Sequence, residues 1–281
     1  MKLMTGCPLL FQDMIPLYYF LFGILGLLIG SFLNVCICRI PKGESIITGR
    51  SHCTKCNHSL NVLDLFPVVS FLFLGGKCRY CKEKISPRYA IVEFLTALTY
   101  VILFHKYKIS IDFFAAAYLM SILIIVFFID LEHMIIPDGL VIAGLIGGVL
   151  LFVYNIFGFV QIYGDRNWWN PLLGGLIGFG LLFLIATLAS VVYKTDEAMG
   201  GGDIKIFAPI GLFLGWRMTG IALLTSFLFG GIIGIIIIFI KGKESRRTVF
   251  PLGPFIVLGT FFTYLFGWNV LNWYLGTLNI Y

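Results

Sequence analysis

Apolar runs of roughly twenty residues alternate with short polar segments along almost the whole chain. The runs fall near 17–37, 89–104, 113–130, 139–159, 172–193, 206–222, 223–240 and 251–275. Each approaches the length that carries a helix across the hydrocarbon core of a bilayer, so the pattern predicts an all-α, polytopic helical membrane protein with about eight transmembrane helices. The pair 206–222 and 223–240 is the least separated. Arg217 interrupts it, which predicts two helices joined by a tight turn near 215–220. Residues 1–16 lack the features of a signal peptide, and no small-residue cleavage pattern follows the first run, so that run reads as a retained first helix.

Between the first and second runs lies the one sizeable polar segment, 39–88. Within it, 62–75 is apolar but broken by Asp64 and Pro67 and is too short to span, which suits an interfacial or re-entrant segment. The pattern divides the chain into a first transmembrane helix (1–38), a small cysteine-rich loop (39–88) and a membrane domain (89–281). No convincing internal repeat and no low-complexity tail stands out.

Composition agrees: 59% of the 281 residues are hydrophobic and only 12% are charged, half the share usual in soluble domains. The formal charge of +6 is unevenly placed. With eight spans, 15 of the 20 Lys and Arg residues fall on one side, in loops 39–88, 194–205 and 241–249. Lys2, Lys106, Lys108, Arg166 and Arg217 fall on the other. By the positive-inside rule the cysteine loop is cytoplasmic and both termini are outside. Basic residues confined to such loops argue against nucleic acid as a partner and leave the lipid bilayer as the expected one. The same topology places Asp130 and Asp203 on the cytoplasmic side, each at a span boundary.

A carboxylate at a membrane boundary is costly to desolvate and often marks function. Two that approach each other share a proton, because like charges in contact do not both ionise. One then accepts a proton from water while the other donates to a scissile carbonyl. Asp203 follows Gly200, Gly201 and Gly202, which would let the backbone bend and approach an extended peptide. The bland alternative is a solvated helix cap. A transporter would also use boundary acids and helix breaks, but it needs polar groups near the midplane. A non-catalytic assembly subunit would not need the aspartates at all.

The loop carries Cys53-x2-Cys56 and Cys78-x2-Cys81, separated by 21 residues. Two such knuckles match a zinc-ribbon-like structural Zn2+ site with four thiolate ligands. Reduced thiols or a redox pair are the alternatives. His52 and His58 flank the first knuckle, but four cysteines already complete a shell. Cys7, Cys36 and Cys38 have no partner spacing, and the latter two are expected to pack in or near the first span.

Four motifs, in order along the chain, carry a resemblance. They are GSFLNVCICRIP (30–41), DLEHMIIPD (130–138), AMGGGDIKIFAPIGLFLGW (198–216) and FPLGPF (250–255). Together they resemble the type IV prepilin peptidases, membrane aspartyl proteases with a GxGD motif. The resemblance implies that Asp130 and Asp203 are the catalytic pair, with Gly200 and Gly202 as the motif glycines. It implies that Asp138 caps the following helix and that Glu132 and His133 are solvated or substrate-facing. The implied function is cleavage of the leader peptide of prepilins and pseudopilins, serving a type IV pilus or type II secretion. Members with such a cysteine loop also N-methylate the new N-terminal residue with S-adenosylmethionine. The pair Gly76 and Lys77 is linked to that second activity by the resemblance. Glu93 and Asn34 are further candidates, although Glu93 could equally cap its helix. A peptidase whose cysteine loop is purely structural is the alternative. No glycine fingerprint of a nucleotide-binding βαβ unit is present. The resemblance also implies a bacterial inner membrane location with the active site facing the cytoplasm.

Overall fold

A computed structural model describes residues 15–53, 55–194, 200–241 and 251–278. Cys7, Ala198, Met199 and Phe250, and the basic residues Lys2, Lys243, Arg246 and Arg247, lie outside the described residues. Among those described, the chain is helical and forms no β-strand. The helices are α1 (Ile15–Arg39), the short α2 (Val69–Phe73), α3 (Arg88–Tyr107), α4 (Ile111–His133), α5 (Asp138–Phe157), α6 (Asn170–Tyr193), α7 (Gly201–Lys241) and α8 (Gly253–Thr277). All but α2 are long and apolar enough to cross a membrane, giving seven candidate spans. The chain divides into two compact units, 1–109 and 110–281. The packing boundary thus follows α3, whereas the boundary drawn from the sequence at 88/89 falls at its first residue.

In the first unit α3 packs on α1. Small residues let the backbones approach: a side chain at Gly26 would strike the Ala97 backbone, and one at Gly30 would come 2.7 Å from Glu93 Cα. Such contacts drive association where lipid already surrounds both helices. At the end of α1, the Arg39 guanidinium donates to the carbonyls of Ser45, Thr48 and Gly49, folding 45–50 back on the helix. Segment 62–75 is a 3-10 turn followed by α2. Its Leu63, Leu72 and Phe73 remain exposed, a pattern suited to a membrane surface.

The second unit is built from α4–α8. Helix α4 starts at Ser110, whose side chain accepts the Phe113 N–H. It ends where Met134 turns left-handed at φ 55° and returns its N–H to Asp130 O. Helix α7 is 41 residues long but is not one rod. Gly215 has φ 72° and ψ 168°. Phe207 and Thr219 both lie against Gly178 of α6, although a continuous helix would separate them by about 18 Å. The chain therefore reverses at Gly215, and α7 is a helical hairpin with limbs 201–214 and 216–241. The second limb runs antiparallel to α8, with Met218 against Gly267 and Ser226 against Gly259.

The expected pair 206–222 and 223–240 is thus present with a shifted boundary. The break lies before Arg217, at the residue without a side chain, and Arg217 itself pairs with Asp165 at 3.2 Å. Polar groups from the 158–170 connection complete the turn. Tyr163 OH donates to Leu212 O (2.7 Å), closing the first limb. Asn170 Oδ1 accepts the Trp216 N–H (3.1 Å), capping the second. Asp112, buried at the start of α4, accepts the Ile162 N–H in the same region. A Cβ on Gly215 would meet Asn170 Oδ1 and lie 2.9 Å from the Tyr163 ring, on a backbone that L side chains rarely adopt. Gly215→Ala is expected to destabilise the second unit by about 2–4 kcal/mol. A thermal melt of the purified protein in detergent that matches wild type would contradict this account of the turn.

Candidate functional site

Asp130 lies in the last turn of α4 and is only 5% exposed. Its Oδ2 accepts the Gly253 N–H at 2.8 Å, which brings the start of α8 to the end of α4. Asp203 lies at the third residue of α7, half-buried. Two contacts join the start of α7 to the α4–α5 connection. Lys205 Nζ reaches Asp138 Oδ1 at 2.8 Å, and Gly202 is so close to Ile136 that a Cβ would lie 2.8 Å from the Ile136 Cβ. The exposed ion pair adds little stability by itself, up to about 1 kcal/mol, but it fixes register. These contacts bring the start of α7, with Asp203, toward the chain that follows Asp130 at the end of α4.

Several details differ from the sequence expectation. Asp138 makes no side-chain cap to α5; it holds Lys205 instead. The glycines before Asp203 are not needed for left-handed backbone, since none of them has positive φ. Gly200 and Gly202 are needed for space, because a Cβ on Gly200 would lie 2.7 Å from Asp203 Oδ2. Gly201 faces open space. Glu132 and His133 are exposed on the final turn of α4. The Gly253 amide is a part of the site that motif reading missed, since a backbone donor leaves no signature in side-chain chemistry.

The cysteine loop forms a second centre. The Sγ atoms of Cys53, Cys56, Cys78 and Cys81 all lie within 4.8 Å of one another, and Cys53 and Cys81 are 3.8 Å apart. A tetrahedral ion with Zn–S bonds of about 2.3 Å sets S···S edges of about 3.8 Å, so the donor set fits Zn2+. The backbone repeats itself 25 residues on. Cys53 N donates to His58 O and Asn57 N to Cys53 O; Cys78 N donates to Glu83 O and Lys82 N to Cys78 O. Asn57 and Lys82 both take positive φ. The repeat escaped sequence reading because it is held by main-chain bonds. Amides of Cys56 and Lys55 turned toward the sulfur lower the Cys53 pKa to about 6. Cys81 has an amide partner at Glu83, yet desolvation and the neighbouring sulfurs push it up to about 12. The flanking histidines stay out of the shell, and the His58 ring packs tilted against Tyr80, with centroids 3.7 Å apart. Cys36 is buried in α1, and Cys38 Sγ accepts from Arg88 at 2.9 Å.

Glu93 and Asn34 lie where α1 and α3 cross. Glu93 does not cap α3. It is buried in the second turn, and its Oε2 accepts the Val68 N–H at 2.7 Å, tying the start of α2 to α3. Asn34 is also buried, with Nδ2 donating to Tyr89 O at 2.9 Å and Oδ1 lacking a hydrogen-bond partner. Gly76 has φ 67° and packs under Phe71, where a Cβ would come 3.0 Å from the ring. Lys77 is exposed. Among the described residues, no hydrogen bond or ion pair joins Lys77 to Glu93 or Asn34. Two clefts are formed, one lined by Phe262, Phe266, Asn269, Val270 and Trp273 and one between Ile111, Tyr118, Leu151 and Phe213. Neither is lined by residues of the first unit.

Comparison with known proteins gives consistent matches. A bacterial peptidase A24 N-terminal domain model matches residues 24–107, and a type IV leader peptidase family model matches 117–235. A prepilin leader peptidase/N-methyltransferase of Bacillus subtilis is 34% identical over 253 residues, covering 90% of this chain and 96% of that protein. One of Aeromonas salmonicida is 33% identical, covering 93% and 95%. One of Myxococcus xanthus is 33% identical over 83% of this chain and 67% of its own length. No solved structure matches the chain.

Proposed function

The chain belongs to the type IV leader peptidase family, and from that membership we propose that it is a multi-pass membrane enzyme that cleaves prepilin leaders with Asp130 and Asp203 and then N-methylates the product. The observation that carries the reading is the convergence of the ends of α4 and α7, tied by Lys205–Asp138 and the Gly202–Ile136 approach. Brought together at the substrate, two such carboxylates would hold one proton between them, and the pair would titrate as a unit. The ionised carboxylate takes a proton from water, and the resulting hydroxide adds to the scissile carbonyl carbon. The protonated partner donates to the carbonyl oxygen. Collapse of the tetrahedral species breaks the C–N bond, and the departing nitrogen takes up a proton. The products are a free leader carboxylate and a free pilin amine.

That amine would be the substrate of the second activity, for which S-adenosylmethionine, when bound, would supply an electrophilic methyl group. Asn34 Oδ1 and the Glu93 carboxylate are acceptors matched to an amine, and Lys77 together with Gly76 belongs to the same activity. Zn2+ held by Cys53, Cys56, Cys78 and Cys81 gives the loop an order that its small core does not supply. The excess of basic residues in 39–88 and around Lys194 and Lys205 supports a cytoplasmic face for both centres, in the inner membrane of a bacterium. Prepilins and pseudopilins, whose apolar helices enter from the bilayer, are the substrates.

Co-expression with a prepilin, reading leader removal and methyl mass separately, tests both activities. Lys77→Ala is expected to leave cleavage intact and lower methylation by roughly 10²-fold. Processed pilin carrying the full methyl mass would remove Lys77 from the proposal.

A further inference from the structure

We propose that the backbone N–H of Gly253 positions Asp130 for the cleavage step, and that residue 253 must lack a side chain to do so. The inference rests on the reading of Asp130 as a member of the catalytic pair. Gly253 opens α8 and lies 123 residues after Asp130, yet its amide donates to Asp130 Oδ2 at 2.8 Å. The other early amides of α8 are committed elsewhere. Phe255 N and Ile256 N turn back to Leu252 O at 3.0 and 3.2 Å, and Pro254 has no N–H. The Gly253 donor is therefore the one that faces the carboxylate.

The approach leaves no room for a Cβ. One built on Gly253 would lie 2.6 Å from Asp130 Oδ2 and 3.0 Å from both Cβ and Cγ. The Asp130 backbone has little freedom to retreat, because its carbonyl holds the Met134 N–H at 2.9 Å. A side chain at 253 would thus be relieved by turning the carboxylate. In the native arrangement Oδ2 is pinned by the amide, and Oδ1 is the oxygen left for the reaction. Gly253 is a positioning residue: it acts through Asp130 and touches no reacting atom.

Two variants separate the steric and hydrogen-bonding parts. Gly253→Ala adds the Cβ. Glycolic acid at 253, introduced by suppression in cell-free synthesis into nanodiscs, replaces the N–H by an ester oxygen and adds no side chain. With purified prepilin, both are expected to lower kcat by about 10–10²-fold, the usual cost of displacing a catalytic group by about an ångström. KM is expected to stay within about twofold, since substrate contacts are untouched. Leu258→Ala, at an exposed position one turn further along α8, is expected to cleave at the wild-type rate. In Asp130→Asn background, Gly253→Ala should cause no further loss. Wild-type kcat in the ester variant, or equal changes in kcat and KM in Gly253→Ala, would overturn the proposal. Near wild-type cleavage by Asp130→Asn alone would instead overturn the catalytic reading beneath it.

Discussion

Asp130→Asn and Asp203→Asn are each expected to lower prepilin cleavage by about 10³-fold or more while the protein remains folded in the membrane. An amide is close in size to a carboxyl but neither holds the shared proton nor takes one from water. Each substitution therefore removes the acid–base cycle and disturbs packing little. In Asp130→Asn the side-chain amide oxygen would still accept the Gly253 N–H, so the junction of α4 and α8 survives. Because the pair works as a unit, the double variant should be no slower than the slower single one. Either single variant cleaving within tenfold of wild type would rule out a paired-carboxylate mechanism. The assay is leader release from purified prepilin in detergent or liposomes, read alongside the melting profile.

Cys78→Ser is expected to empty the metal centre, lowering zinc content from about one per chain to background, and to abolish methylation while leaving leader cleavage. Cys78 is the buried member of the four, so a serine there exchanges a soft thiolate for a hard oxygen at the most enclosed ligand position. Structural zinc contributes about 10–16 kcal/mol to the folding of comparable small modules, so the knuckles would lose their mutual order. The aspartates belong to a unit with a helical core of its own, which is why cleavage should persist. Elemental analysis that finds no zinc in the intact purified protein would refute the assignment. Loss of cleavage in Cys78→Ser would show that the two activities depend on one another.

The spans were readable because each must be apolar over about twenty residues, and the observed bounds of α1, α3–α6 and α8 fall within about three residues of the runs. The four cysteines were readable because metal ligation needs side chains at fixed spacing. The aspartates stood out because charge is rare at a membrane edge. What escaped was carried by backbone. The turn expected near 215–220 is there, but its cause was hidden: Arg217 drew attention as the only charge in the run, while the reversal belongs to Gly215. The amide at Gly253 and the 25-residue repetition of the knuckles are invisible to side-chain pattern. The pairing of α3 with α1 was also hidden, since small residues at Gly26 and Gly30 look like any other membrane glycines until the facing Ala97 and Glu93 are known.

The reversal at Gly215 bears on biogenesis. The limb 201–214 is only about 21 Å long, short of a bilayer's hydrocarbon thickness of about 30 Å. It also begins with Asp203 and Lys205 and contains Pro209, so it is a poor candidate for insertion on its own. The limb 216–241 is longer and apolar, and it lies alongside the first on the same face of α6. The first limb is therefore expected to enter the bilayer paired with the second, once the ribosome has released it. Asp203 would then take its place only at that stage, and Gly253 later still. With Asp130 and Asp203 read as the catalytic pair, a nascent chain would hold no complete proteolytic centre until most of the protein had been translated.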